Sequence, residues 1–326
     1  MRGHDREGST LDGLIGHTGF VGGNLKRQHA FDGLFTRANV ADLVDADFNT
    51  LVCAAAPGSM FEANRFPERD ASRIDALIGQ LDAVGSARRF VLISTVAVLA
   101  GFTAEDESTT AFETATAYGV HRRRLETFVA ERFPGALVVR LPALFGPGLR
   151  KNFLFDLLNP MPSMVPPAGL AALSDAVGAD AALLETLYPL DDELGMHVVD
   201  RDALDASGRR ATLEQAVTAA GLGALRFTHP ESRFQFYDMR DLWRDIGLGL
   251  DHGLDVLHLS PPPLSAGAVH LALTGEAMPE TAARVHNEDM RTGHASLWGR
   301  NGPYKQSEDE VLAALRSFAQ AERITA

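Results

Sequence analysis

Tyr118 and Arg122 stand four residues apart in Ala117-Tyr118-Gly119-Val120-His121-Arg122, a spacing that puts both side chains on one helix face. A guanidinium one turn from a phenol favours the phenolate and should draw the phenol's pKa down toward neutrality. A tyrosine tuned in this way exchanges a proton with a carbonyl or an alcohol while hydride moves to or from a nicotinamide. Twenty-three residues before Tyr118, the apolar run Phe90-Val91-Leu92-Ile93-Ser94-Thr95 ends in two hydroxyls. If that run is a strand of a doubly wound sheet, those hydroxyls lie at the carboxyl edge, where such sheets bind ligands.

A third group of residues predicts the ligand. Leu14-Ile15-Gly16-His17-Thr18-Gly19-Phe20-Val21-Gly22 is a short strand entering a glycine-spaced turn, followed at once by a helix start. Glycines at 16, 19 and 22 allow a tight turn, close approach to a pyrophosphate, and packing of helix on strand. The helix N-terminus adds free N–H groups and a positive dipole end. Alone, the triplet also fits an ordinary strand–helix turn; its order relative to Thr95 and Tyr118 favours a dinucleotide.

These residues need a scaffold. Short, continuously apolar strands are predicted at 13–16, near 33–36, and at 50–55, 90–95 and 136–141, a pattern suited to burial on both faces of a parallel sheet. Between them, Ile74, Leu77, Ile78 and Leu81 recur at helical spacing, as do Leu125, Phe128 and Val129. Alternation of this kind gives right-handed βαβ units and a Rossmann-type doubly wound sheet. After about residue 150 the pattern becomes irregular. The division read is residues 1–150 as a dinucleotide-binding domain and 151–326 as a mixed α/β substrate domain, interwoven with the first. In the last segment, Ser307-Glu308-Asp309-Glu310 reads as a capping box opening a terminal helix.

Composition narrows the classes. The 326-residue chain carries 43 acidic and 30 basic residues, a formal charge of −13, so nucleic acid is not the expected partner. Its one cysteine, Cys53, lies in an apolar run, which excludes an internal disulfide and reads as a buried strand residue. The eleven histidines show no metal-ligand spacing, and no metal is expected. The polar start, residues 1–6, lacks a signal peptide's apolar core, and no apolar run approaches the roughly 20 residues that cross a bilayer. The cytoplasm, with no membrane partner, is the expectation.

Taken in order, Gly16-x-x-Gly19-x-x-Gly22, the strand ending in Thr95, Tyr118-x-x-x-Arg122 and Arg140-Leu141-Pro142-Ala143-Leu144-Phe145-Gly146-Pro147-Gly148 resemble the extended short-chain dehydrogenase/reductases, which include nucleotide-sugar epimerases, dehydratases and 4-ketoreductases. The resemblance covers roughly the first 150 residues. It implies that Gly16, Thr18, Gly19, Phe20, Val21 and Gly22 line the pyrophosphate, with Ala54, Ala55, Ala56 and Pro142 also beside the cofactor. Thr95 would hold the reacting oxygen, and Tyr118 would be the acid/base. Arg122 would stand for the family's lysine, binding the nicotinamide ribose and tuning the tyrosine, although a planar fork is not equivalent to an ammonium point charge.

The second strand ends Phe35-Thr36-Arg37 without an acidic residue, so Arg37 favours the 2′-phosphate of NADP over NAD. The short path that follows is similar to the GDP-fucose synthase branch. Asn152 and Arg233 match positions where relatives contact substrate, the latter suited to a diphosphate. The resemblance implies a small-molecule substrate of the nucleotide-linked sugar class, and a homodimer. A non-catalytic NAD(P)-binding module, or a reductase of a non-sugar metabolite, stays open on the same residues.

Overall fold

In the computed structural model, residues 11–44 and 46–325 are described; the reading of residues 1–6 lies outside them. The leading elements are β1 (Asp12–Ile15), α1 (Phe20–Gln28), β2 (Gly33–Phe35), β3 (Asp47–Cys53), α2 (Met60–Arg65), α3 (Pro67–Asp82), β4 (Ser86–Thr95), α4 (Ala117–Arg132) and β5 (Leu137–Leu141). The strands form one parallel sheet in the order Val256–His258, β5, β4, β3, β1, β2. The sixth strand, Val256–His258, comes from late in the chain and pairs with β5 through Leu257 and Val139.

Successive side chains of a strand point to opposite faces, and the core follows that rule. Phe90 and Leu92 pack with Ile74, Leu77 and Leu81 of α3 and Leu125 and Val129 of α4. Val91 and Ile93 pack on the other face, with Leu25 of α1 and Leu242 and Ile246 of the helix Leu242–Asp251. Cys53 is fully buried, and burial pushes its thiol up to about 11, so it behaves as a small apolar core residue.

Two compact units divide the chain. One takes in the residues up to Gly148 with Phe234–Leu264 and Asn287–Phe318; the other takes in Leu149–Arg233, Ser265–His286 and the chain from Ala319 on. Ser307 caps the last helix: its Oγ accepts the Glu310 amide at 3.3 Å while Glu310 accepts the Ser307 amide at 2.7 Å. This is the reciprocal box read from the sequence.

One expectation is corrected. Pro167–Leu187 spans 21 residues with a mean hydropathy of 1.2 over its most apolar window, enough by length and composition to cross a membrane. The segment is two helices, Pro167–Val177 and Ala181–Leu187, broken at Gly178–Asp180. Leu170, Leu173, Leu184 and Leu187 sit in the core of the second unit. The sequence reading overlooked it because many of its apolar residues are alanines, interrupted by Asp175 and Asp180.

Buried charge binds the first unit together beneath Thr95. Glu126 of α4 accepts two bonds from Arg140, at 3.0 and 2.8 Å, one from Ser94 at 2.6 Å, and one from Arg123 at 2.9 Å. Glu126 and Arg140 are only 1% and 2% exposed. Arg140 Nη1 lies 3.2 Å from His258 Nε2, and His258 Nδ1 lies 3.0 Å from the Arg291 carbonyl. Arginine only donates, so Nε2 carries the lone pair and Nδ1 the proton, donated to Arg291. The imidazole is therefore neutral, and burial holds its pKa below the ordinary histidine value.

An unfolded histidine takes up a proton near pH 6.5; folded His258 does so only at lower pH. Its contribution to stability is complete above that range and is lost as pH falls through it. Urea midpoints should therefore decline between about pH 7 and pH 5.5, and His258→Gln should flatten the decline. An equal decline in both proteins would assign the pH dependence to other groups.

Candidate active site

The glycine turn divides its glycines by what each one serves. Gly16 has φ +87°, and a Cβ there would meet the Ala54 carbonyl oxygen at 2.7 Å. A Cβ on Gly22 would stand 2.2 Å from the Gly16 oxygen. The chain's own packing demands both. A Cβ on Gly19 would meet only the Gly16 oxygen at 3.5 Å, an ordinary contact. The fold therefore tolerates a side chain at Gly19, and the bare backbone there leaves room for a close ligand.

Gly19 begins α1 and offers no capping side chain, so the first-turn amides of Phe20 and Val21 have no acceptor from it. Asn24 fixes the helix, donating to the Phe20 carbonyl at 2.9 Å and the Pro147 carbonyl at 3.1 Å. Ala54, Ala55 and Ala56 follow β3 on the same carboxyl edge, with the Ala54 amide bonded to the Ile15 carbonyl at 2.9 Å. Thr18 lies exposed in the turn, and Pro142 follows β5 half-buried. The bare Gly19, the free helix end and the small residues after β3 fit the pyrophosphate and ribose of a dinucleotide. Arg37 is exposed just beyond β2, where Asn39 Oδ1 accepts the Thr36 amide at 2.8 Å and shapes the turn.

The Thr95 side chain lies beside Tyr118, close enough to draw against the rise of the phenol's pKa. Gly119 makes that approach feasible: a Cβ there would be 2.3 Å from the Ala97 carbonyl, so only glycine lets α4 sit this close behind β4. The Tyr118 amide donates to Asn64 Oδ1 of α2 at 3.0 Å, which fixes the start of α4. Thr95 Oγ1 accepts the Ala97 amide at 3.1 Å, which leaves its own proton free to donate.

Arg122 is where structure and expectation part. It is 2% exposed and forks onto Asp70 of α3, Nη1 to Oδ2 at 2.5 Å and Nη2 to Oδ1 at 2.9 Å. Nη2 also reaches the Pro57 carbonyl at 2.5 Å, Nη1 reaches the Tyr118 carbonyl at 3.4 Å, and buried Nε has no partner among the described residues. The guanidinium carbon lies 4.1 Å from the centre of the Tyr118 ring. Tyr118 is not drawn toward neutrality as the spacing predicted. Burial raises the phenol above its ordinary value, with Asp70 adding to the rise; Arg122 and the Thr95 hydroxyl pull against it without prevailing.

Asp70, Asn64 and Glu126 escaped the sequence reading, although a signal for two of them was present. Asp70 precedes Ile74 by four residues, and so lies on the apolar stripe of α3 with Leu77 and Leu81. Glu126 continues the Tyr118, Arg122 stripe one turn further along α4. A carboxylate on a buried stripe must find a cation.

In the second unit, Asn152 has φ +105° and its Oδ1 accepts the Phe155 amide at 3.1 Å, capping the helix Phe153–Leu158. Arg233 is exposed at the start of a two-residue strand, its amide bonded to the His286 carbonyl at 2.7 Å.

No protein family matches the chain by sequence, and no curated protein does. Solved structures match it over nearly the whole length. The UDP-glucose 4-epimerase of Thermotoga maritima with UDP-glucose shares 13% identity over 96% of this chain and 99% of that one, with a TM-score of 0.58. The dTDP-4-dehydrorhamnose reductase of Bacillus anthracis with NADP shares 14% over 95% and 98%, TM-score 0.58. The UDP-N-acetylglucosamine 4-epimerase of Methanobrevibacter ruminantium shares 11% over 98% and 100%, TM-score 0.59. The chain has the fold these enzymes share. It is the Rossmann-type α/β architecture read from the glycine turn and the strand spacing, with a parallel sheet flanked by helices on both faces.

Proposed function

We propose that the chain is an NAD(P)-dependent oxidoreductase or epimerase of the extended short-chain dehydrogenase/reductase type, acting on a carbonyl or hydroxyl of a nucleotide-linked sugar. One observation carries the reading: Thr95 and Tyr118 come together beside the carboxyl edge of the sheet that also holds the Gly16–Gly22 cradle. The names of the structural neighbours support the substrate class.

A nicotinamide bound there would supply or accept the hydride. The chain's residues do the rest. Gly19 and the first-turn amides of α1 hold the diphosphate, and Arg37 receives a 2′-phosphate, which favours NADP. Thr95 orients the substrate oxygen, and Tyr118 moves its proton. Asn152 and Arg233 are assigned to the substrate, Arg233 through a diphosphate. A cytoplasmic homodimer completes the proposal, and its mass in solution checks the assembly.

Titration of the protein with NADPH and NADH, followed by loss of reduced-nicotinamide absorbance on 4-keto nucleotide sugars, tests the reading. NADPH should bind more tightly than NADH, and Arg37→Ser should remove the difference. Gly19→Ala should keep its melting temperature yet bind NADPH about tenfold or more weakly, whereas Gly22→Ala should melt lower. Unchanged NADPH affinity in Gly19→Ala would take the dinucleotide away from this turn.

A second reading, a non-catalytic NAD(P)-binding module, is favoured by one feature. Arg122 spends its terminal nitrogens on Asp70, Pro57 and Tyr118, where the family's lysine would reach a ribose. NADPH binding without any Tyr118-dependent turnover would select it.

A further inference from the structure

The Arg122–Asp70 pair bears on which way the proposed proton transfer runs, an inference resting on Tyr118 as the acid/base. The two bonds of the fork are end-on and parallel, and Asp70 also accepts from His121 Nδ1 at 2.8 Å. Asp70 is 4% exposed, so its carboxylate opposes the guanidinium in a poorly solvated setting, although the pull of Arg122 on the phenol is the larger of the two. The guanidinium carbon is held 4.1 Å from the centre of the phenol ring, and its position is fixed by α3 as well as by α4. Among the described residues, the charged groups facing Tyr118 are Arg122 on its own helix and Asp70 on α3. β4 contributes only the neutral Thr95, and His121 reaches the phenol only through Asp70.

We propose that Asp70 is a positioning residue that fixes Arg122 against Tyr118 and offsets part of its charge, so that Tyr118 enters the reaction as the phenol and gives its proton to a carbonyl oxygen. The direction assigned is reduction. A reduced nicotinamide would supply hydride to the carbonyl carbon as the C=O π pair passes to oxygen. That oxygen would take the Tyr118 proton, leaving the nicotinamide oxidised, and solvent would reprotonate the phenolate. A site built for oxidation would need the phenolate at rest, which an unopposed cation favours more than an opposed one.

The test reads the phenol directly. Protein carrying ring-labelled tyrosine is titrated by NMR, with the Tyr118 signal assigned by its loss in Tyr118→Phe; the chain has only four tyrosines. Asp70→Asn leaves Arg122 charged and uncompensated, and Tyr118 should ionise about one pH unit lower, tenfold in the proton equilibrium. Arg122→Gln leaves Asp70 alone, and the phenol should ionise at higher pH than in the wild type. The double variant should ionise between the two single variants. A residue that merely held the helices together would move stability without producing this opposed pair of shifts.

An unmoved phenol in a folded Asp70→Asn variant overturns the proposal. Should that variant not fold, Arg122→Gln decides: a phenol that stays or falls overturns it equally. The failure of the enzyme reading looks different. Opposed titration shifts with no turnover would leave the Asp70 assignment standing and remove the chemistry. Tyr118-dependent turnover with an unmoved phenol would do the reverse.

Discussion

Tyr118→Phe should lower turnover of a carbonyl substrate by about 10²- to 10⁴-fold while leaving NADPH affinity within about threefold of the wild type. In the proposed reaction the phenol oxygen moves the proton beside Thr95, and phenylalanine removes that oxygen alone. Ring packing against the Arg122 guanidinium survives the change, as does the backbone bond to Asn64. The loss should therefore fall on kcat with little change in melting temperature. Thr95→Val should show a smaller fall, because Thr95 orients the oxygen but transfers no proton in this scheme. Turnover of Tyr118→Phe within fivefold of the wild type would remove Tyr118 from the reaction.

The second large effect is on folding. Glu126→Gln leaves the Arg140 guanidinium charged in a site 2% exposed, with Arg123 nearby as a second cation. Breaking a buried pair by deleting one partner typically costs about 3–5 kcal/mol, because the remaining charge is uncompensated. Urea unfolding of Glu126→Gln should show a loss of that order. Glu126→Leu combined with Arg140→Met removes both charges and should be more stable than Glu126→Leu alone, even with the Ser94 hydroxyl and His258 left short of a partner. A Glu126→Gln protein within about 1 kcal/mol of the wild type would show that solvent or rearrangement compensates Arg140.

Much of the fold was legible because its signals are local. Apolar runs at Phe90–Ile93 and Leu137–Val139 predict strands buried on both faces, and both are interior strands of the sheet. Ile74, Leu77 and Leu81 predict the stripe of α3 that packs beneath it. Val256–His258 lies beyond residue 150, where the sequence pattern is irregular, and three residues carry no information about which edge they join. Its place beside β5 follows from non-local pairing of Leu257 with Val139.

The site was legible to the same depth. Sequence alone determined the glycine turn, the hydroxyl at the end of β4, and the placing of Tyr118 and Arg122 on one helix face, because strand alternation and helical periodicity fix these from neighbours in the chain. Only the tertiary structure decided what Arg122 is worth. Its pull is opposed by Asp70, 52 residues away on another helix, and the Tyr118 phenol responds to burial and to that pair together. Periodicity places a cation near a phenol; desolvation and a distant carboxylate decide whether the phenol responds to it.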